Sequence, residues 1–207
     1  MPNHYQARAR RARYFMIKAD VLYFADLPDK IVTAERILQA HGPRLLVCEV
    51  LRAELHALHV AADEVQRAMR ASGMTTRCTA CGVGSGGGCC GASIADEVYS
   101  MLLVVNGLLG VTPALQTADP TSCAFLGATG CSLRVKPILC LNYTCHDLND
   151  TLPLRGLDDV AKTTRLLLNQ LISVERHIEQ LLESSPGGEH FSGPAACIVH
   201  GSTRASR

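Results

Sequence analysis

Eight of the ten cysteines in this chain of 207 residues fall between Cys78 and Cys145. They form two sets: Cys78, Cys81, Cys89 and Cys90, then Cys123, Cys131, Cys140 and Cys145. Grouped thiols are the usual way a chain holds a soft metal ion or an iron–sulfur cluster. Only Thr79 and Ala80 separate Cys78 from Cys81. That gap lets both thiolates chelate one tetrahedral centre. Residues 82–88 carry five glycines, whose backbone can approach a metal closely. Cys89 and Cys90 are adjacent, and neighbours in sequence seldom ligate one ion comfortably. Two ions, a multinuclear cluster, or one thiol outside the coordination shell would each accommodate them. In the second set, Cys123 and Cys131 bracket a glycine-containing loop, and Cys140 and Cys145 follow Pro137. Arg77, Arg134 and Lys136 lie beside the cysteines, where positive charge favours the thiolate. His146 follows the last cysteine and is an alternative ligand.

The elements that must position these thiols read as helices. Tyr14, Ile17, Val21 and Phe24 fit a short first helix. Asp26, with Pro28 in the first turn, starts a second, with Ile31, Ala34 and Leu38 facing inward and Gly42-Pro43 as its stop. Cys48, Leu51, Leu55, Leu58, Ala62, Val65 and Met69 form a continuous seam on a third, ending near Gly73. Residues 94–109 read as a buried fourth helix, capped by Ser93 and ended by 110–113. Val160, Thr164, Leu167, Leu171, Val174, Ile178 and Leu181 form the fifth, with Asp158 or Asp159 as N-cap. Ser184 to Gly188 would terminate it. The expectation is an all-α small helical bundle over residues 1–185. Two cysteine-rich metal-binding loops within 75–147 would flank the fourth helix and meet at one end of the bundle. Residues 186–207 read as a flexible tail.

Composition narrows the function classes. The chain is 47% hydrophobic but has no Trp and only 4% aromatic residues, which suits packed helices better than a β-sandwich. A net charge of +1 argues against a nucleic-acid or anionic-membrane partner. The arginines of residues 1–19 read as a solvated N-terminus. No secretory signal is evident, and the run from Val98 to Val111 is shorter than the roughly 20 residues of a spanning helix. These features predict a cytoplasmic protein, where clustered cysteines bind metal more often than they form disulfides. Residues 82–88 lack the Gly-Lys-Ser/Thr ending of a phosphate loop. Cys48, on the third seam, reads as a core thiol, and Cys197 as an unpaired one. His56 and His59 read as a solvated helix edge with no carboxylate at matching spacing to complete a site.

The stretch from Cys123 through Gly130-Cys131, Lys136-Pro137, Cys140, Tyr143 and Cys145 resembles the second half of the YkgJ-type cysteine-cluster family, whose members are described as zinc- or iron-chelating domains. Cys78, Cys81, Cys89 and Cys90 match its first half in kind, with a different length for the glycine-rich gap before Cys89. The resemblance covers residues 75–147 and implies metal binding. Related clusters occur in flagellin lysine methylases, but this chain carries no methyl-donor motif. Two readings follow. In one, four of the cysteines hold an iron–sulfur cluster, a [4Fe–4S] centre, in a redox or enzyme-supporting role with a redox or protein partner. In the other, zinc fills two four-cysteine sites of a structural, interaction or metal-handling module. Adjacent Cys89 and Cys90 favour the cluster, as a multinuclear site suits them better. The third and fifth seams are long enough to extend into a homodimer contact. Pro137 and Tyr143 are expected to shape the second loop.

Overall fold

A computed structural model describes residues 25–82, 88–112, 115, 120–127 and 130–183. The first expected helix, the glycine-rich 83–87 and the tail with Cys197 lie outside them. The described residues are mostly helical, with one two-stranded antiparallel sheet.

Helix α1 (Leu27–Val47) opens as its sequence dictates. The Asp26 carboxylate accepts from the Asp29 N–H at 3.0 Å, and Pro28 sits in the first turn. Gly42-Pro43 does not stop it, and the helix runs on to Val47. Leu45, beyond the proline, is buried in the core, and the Arg44 guanidinium donates to the Leu181 carbonyl at 3.2 Å. Burying a leucine contributes about 1.5–3 kcal/mol, comparable with the roughly 3 kcal/mol a proline costs inside a helix.

Helix α2 (Glu49–Ala71) buries Leu51, Leu55, Leu58, Ala62, Val65 and Met69, the seam read from the sequence, with Cys48 buried at its N-cap. It packs along α7 (Leu154–Glu183), whose buried face includes Val160, Thr164, Leu167, Leu171, Val174, Ile178 and Leu181. Helix α7 begins before Asp158 and Asp159, just after Pro153. Its first turn fits because Gly156 lacks a side chain; a Cβ there would stand 2.9 Å from Ser72 Cβ. Buried His177 of α7 meets the Glu54 carboxylate of α2 at 2.7 Å, and Ser173 donates to the same carboxylate at 3.0 Å. The two long seams are thus buried within the chain.

The expected fourth helix is divided. Residues Ala92–Glu97 form a 3-10 turn, Val98 and Tyr99 are extended, and α4 runs from Ser100 to Leu108. Ser93 therefore caps no α-helix. The Asp96 carbonyl is taken by the buried Lys30 ammonium at 2.6 Å, which removes it from a helical ladder. The Tyr99 hydroxyl donates to Glu175 at 2.6 Å. Burial foremost pushes that carboxyl up to about 7; the Tyr99 bond opposes the shift and Glu179 adds to it. Helix α4 is buried from Ser100 to Asn106, in keeping with its apolar character on several faces.

Candidate metal centre

The eight cysteines sit on short elements more than on loops. Cys78 and Cys81 belong to helix α3 (Met74–Gly82), and Cys89 and Cys90 to the 3-10 turn Gly88–Cys90. Cys123 precedes strand β1 (Leu126–Gly127), and Cys131 ends β2 (Gly130–Cys131). Cys140 lies in α5 (Ile138–Asn142), which starts after Pro137, and Cys145 is the N-cap of α6 (His146–Thr151).

Backbone pairing joins the two sets. Gly91 and Ser122 form an antiparallel bridge, the Cys123 N–H donates to the Cys90 carbonyl at 2.7 Å, and the Ala92 N–H donates to Thr121 at 3.1 Å. The β1–β2 hairpin supplies a second junction. Leu126 pairs with Cys131, and Gly130 has φ +108°, a conformation other residues rarely adopt. The space where a Gly130 Cβ would lie is 3.8 Å from Thr79 Oγ1, so the hairpin lies against the turn between Cys78 and Cys81.

Buried Asn106 on α4 fixes the other side. Its amide donates to the Leu102 and Val135 carbonyls, each at 2.9 Å. Its carbonyl accepts from the N–H groups of Arg134 at 2.9 Å and Val135 at 3.1 Å. One side chain thereby pins the segment that carries Lys136 and leads into Cys140. The sequence reading placed Asn106 inside the apolar run from Val98 to Val111 and gave it no role. A polar residue at the centre of that run was the available signal.

The thiols influence one another in two overlapping groups joined through Cys90. Cys90, Cys123, Cys131 and Cys140 form an inner quartet. Burial foremost pushes Cys140 up to about 12, reinforced by Cys131, Cys90 and Cys123 and opposed by Lys136. Cys123 is raised by burial, with Cys131 and Cys90 adding to it. Cys90 is raised by burial and then by Cys131. Cys131 is raised by burial, against Lys136. Backbone N–H groups of Phe125 and Leu133 bond the sulfurs of Cys123 and Cys131, which favours their thiolates.

Cys78, Cys81, Cys89 and Cys145 form an outer quartet. Burial foremost pushes Cys78 up to about 11, followed by Cys90, Cys145 and Cys89. Cys89 is raised by burial and then by Cys145 and Cys81. Each quartet draws on both sequence sets. Cys90 is the inner member that also acts on the outer thiols, through Cys78, Cys81 and Cys89. Adjacent Cys89 and Cys90 are both influenced by Cys81, and Cys90 also feels Cys131.

The donor chemistry, all thiols with a lysine alongside, fits a soft metal. Among the described residues no group of three or more His, Cys, Asp or Glu side chains is placed to hold a metal ion. All eight clustered thiols, and Cys48, are unpaired by disulfides. The thiols are electrostatic neighbours, not yet a set at the roughly 2.3 Å zinc–sulfur distance from a common point. Ligation would require them to lose their protons and draw in.

Of the three cations expected to serve the thiols, Lys136 does so. Arg77 pairs with Asp147 at 3.6 Å, and Arg134 with Asp63 at 2.9 Å. His146 is 92% exposed at its side chain and lies 3.1 Å from Asp150. His56 is exposed, as expected, but His59 has a carboxylate one turn on, Asp63 at 3.4 Å, contrary to the sequence reading. Pro137 is buried ahead of α5, while the Tyr143 side chain is 56% exposed. Two surface grooves of about 400 Å³ each are lined by residues such as His56, Leu109, Leu38 and Gly110, and by no cysteine. Among the described residues no helix is long and apolar enough to cross a membrane. Comparison with family models, curated proteins and solved structures finds no match to the chain.

Proposed function

We propose that this is a metal–thiolate protein that holds soft metal at two adjacent centres. The inner centre uses Cys90, Cys123, Cys131 and Cys140. The outer centre uses Cys78, Cys81, Cys89 and Cys145. The observation that supports this reading is the backbone pairing that brings the two cysteine sets together, the Gly91–Ser122 bridge and the Cys123 N–H donating to the Cys90 carbonyl. Two four-thiolate sites use all eight cysteines, and zinc is the simplest occupant of each. Adjacent Cys89 and Cys90 both feel Cys81 and both act on Cys78, which one multinuclear centre would accommodate as well. The resemblance of residues 75–147 to a zinc- or iron-chelating family supports the same conclusion.

An iron–sulfur cluster in the inner quartet is the second reading. It is favoured by the N–H···S bonds from Phe125 and Leu133, because hydrogen bonds to sulfur tune such clusters. The outer quartet would then hold a separate ion. The function that follows is metal handling or a cluster-supported redox role, with a protein partner in either case and a cytoplasmic setting.

The deciding experiment is metal and acid-labile sulfide analysis, with a visible spectrum, on protein purified without oxygen. About two zinc ions per chain and no colour support two ion sites. Iron with sulfide and absorption near roughly 400 nm supports the cluster. Absence of all of these from protein with free thiols would sink both readings.

A further inference from the structure

One backbone pairing among the described residues sets two cysteines opposite each other. Across the antiparallel bridge of Gly91 with Ser122, the Cys123 N–H donates to the Cys90 carbonyl at 2.7 Å and the Ala92 N–H to the Thr121 carbonyl at 3.1 Å. Cys90 and Cys123 are therefore cross-strand partners. Such partners project to the same side, with Cα atoms about 5.5 Å apart where a hydrogen bond joins them, inside the roughly 4.4–6.8 Å that a disulfide spans. Their Cβ atoms, about 4.5–5.5 Å apart, need to close to about 3.5–4.5 Å. The backbone can yield that much because the pairing ends there. Cys90 closes the 3-10 turn Gly88–Cys90, and the Cys123 carbonyl has turned away to accept from the Leu126 N–H at 2.9 Å. The β1–β2 hairpin makes no such pair, since it sets Cys131 opposite Leu126. Both thiols are free; Cys90 is half-buried and Cys123 is only 6% exposed.

We infer that Cys90 and Cys123 are a dithiol–disulfide couple, which exchanges two electrons with small disulfides of the glutathione class. This chemistry belongs to the chain without metal and does not rest on the metal-centre reading. Cys90, the more accessible thiol, gives up its proton and attacks one sulfur of glutathione disulfide. The S–S bond of the oxidant breaks, and the first glutathione leaves as a thiolate that takes up the proton. A mixed disulfide remains on Cys90. Cys123 then gives up its proton and attacks the Cys90 sulfur across the bridge. The Cys90–Cys123 bond forms, and the second glutathione leaves and takes that proton. Two protein thiols and one glutathione disulfide become one protein disulfide and two glutathione thiols. The protein sulfurs lose the two electrons that the oxidant gains. Cys123 is covered from solvent and meets its partner only from within the fold, so it resolves the mixed disulfide and does not start the exchange. A dithiol reductant reverses both steps.

The test uses the full chain, reduced and freed of metal by a chelator, and exposed to glutathione disulfide. Samples are quenched with acid over time, free thiols are blocked, and disulfides are mapped by mass spectrometry. The expected first intramolecular product is a Cys90–Cys123 link, with the loss of two free thiols and their recovery on reduction. In Cys123→Ser, glutathione should stay on Cys90. In Cys90→Ser, Cys123 should keep its thiol while the exposed Cys81 and Cys89 react. A first link elsewhere, such as Cys78–Cys81 within α3, would overturn the inference. So would glutathione that persists on Cys90 of the unaltered chain, or no reaction at Cys90. The map of the unaltered chain decides the matter even if a serine variant fails to fold. Because metal is absent throughout, the result is independent of whether the chain holds zinc or iron.

Discussion

The inner and outer groups of thiols proposed above have the same donors, and they differ in the backbone that carries them and in the exposure of Cys81 and Cys89. The inner one lies where the Gly91–Ser122 bridge, the β1–β2 hairpin and the Asn106-pinned segment converge, with Lys136 acting on three of its thiols. The outer one is carried by α3, the 3-10 turn and the N-cap of α6, and two of its members are exposed. Burial makes a bare thiolate costly, so an inner metal would neutralise charge that the fold alone cannot solvate. Water solvates the outer thiolates, so an outer metal has less to add and is easier to lose. Four cysteines do not by themselves define a site; the backbone that holds them decides whether it is structural or exchangeable.

The sharpest way to break this contrast is one serine in each quartet. Cys131→Ser should lower the melting point of the metal-loaded chain steeply. The loss should be at least about 5 kcal/mol, a fraction of the roughly 10–16 kcal/mol that structural zinc contributes. Cys81→Ser should lose one metal equivalent with a far smaller shift. Equal melting-point losses in calorimetry would show that the quartets are not distinct.

Asn106 tests whether the inner quartet is positioned from α4. In Asn106→Leu, the Arg134 and Val135 N–H groups and the Val135 carbonyl lose their partner in the interior. Orphaned buried groups cost about 1–3 kcal/mol each, so a loss of about 3 kcal/mol in urea unfolding is expected. Zinc should fall to one equivalent, held by the outer thiols. If the outer metal is lost and the inner one kept, the assignment of Asn106 to the inner side is wrong.

The long seams of α2 and α7 were legible because a buried helix face repeats every three to four residues, and the buried residues are the ones the spacing picks out. Local stop signals misled where tertiary contacts outweighed them. Gly42-Pro43 is overridden by buried Leu45, and the last helix starts ahead of Asp158 and Asp159, where Gly156 lets its first turn pack closely on Ser72. The cysteines were legible as chemistry, but their division was not. Sequence proximity groups Cys89 with Cys90, and the bridge at Gly91 with the Cys123 N–H bond to Cys90 adds the second cysteine set beside them. The Glu54–His177 pair and the Lys30–Asp96 bond likewise join distant residues and leave no local signal.

The thiol shifts give the contrast a pH signature. Cys140 and Cys78 are raised from 9.0 to about 12 and about 11. The metal-free fold therefore holds these protons more tightly than the unfolded chain does. That stabilisation is fully present below pH 9 and is lost as pH rises through the folded values, at up to about 1.4 kcal/mol per pH unit for each group. Metal-loaded chain has already given up the protons and should be nearly flat over the same window. Urea midpoints measured between pH 8 and 11 with and without zinc check this; a falling curve with zinc bound would mean that the thiols are not its ligands.

Lys136 offers the smallest effect and the finest discrimination. Its ammonium opposes the upward shifts of Cys90, Cys131 and Cys140 in the inner quartet and reaches Cys78 in the outer one. It has no such effect among the causes that raise Cys89. Lys136→Met keeps the length of the side chain and removes its charge. Each inner thiol then becomes harder to ionise, and because ligation releases those protons, inner affinity should fall about tenfold, or roughly 1.4 kcal/mol. The outer affinity should fall less, since one of its four thiols feels the lysine. Competition with a chelator of known strength resolves the two steps. A uniform loss at both would mean that Lys136 acts on the whole site as a distant charge and does not favour the inner thiols.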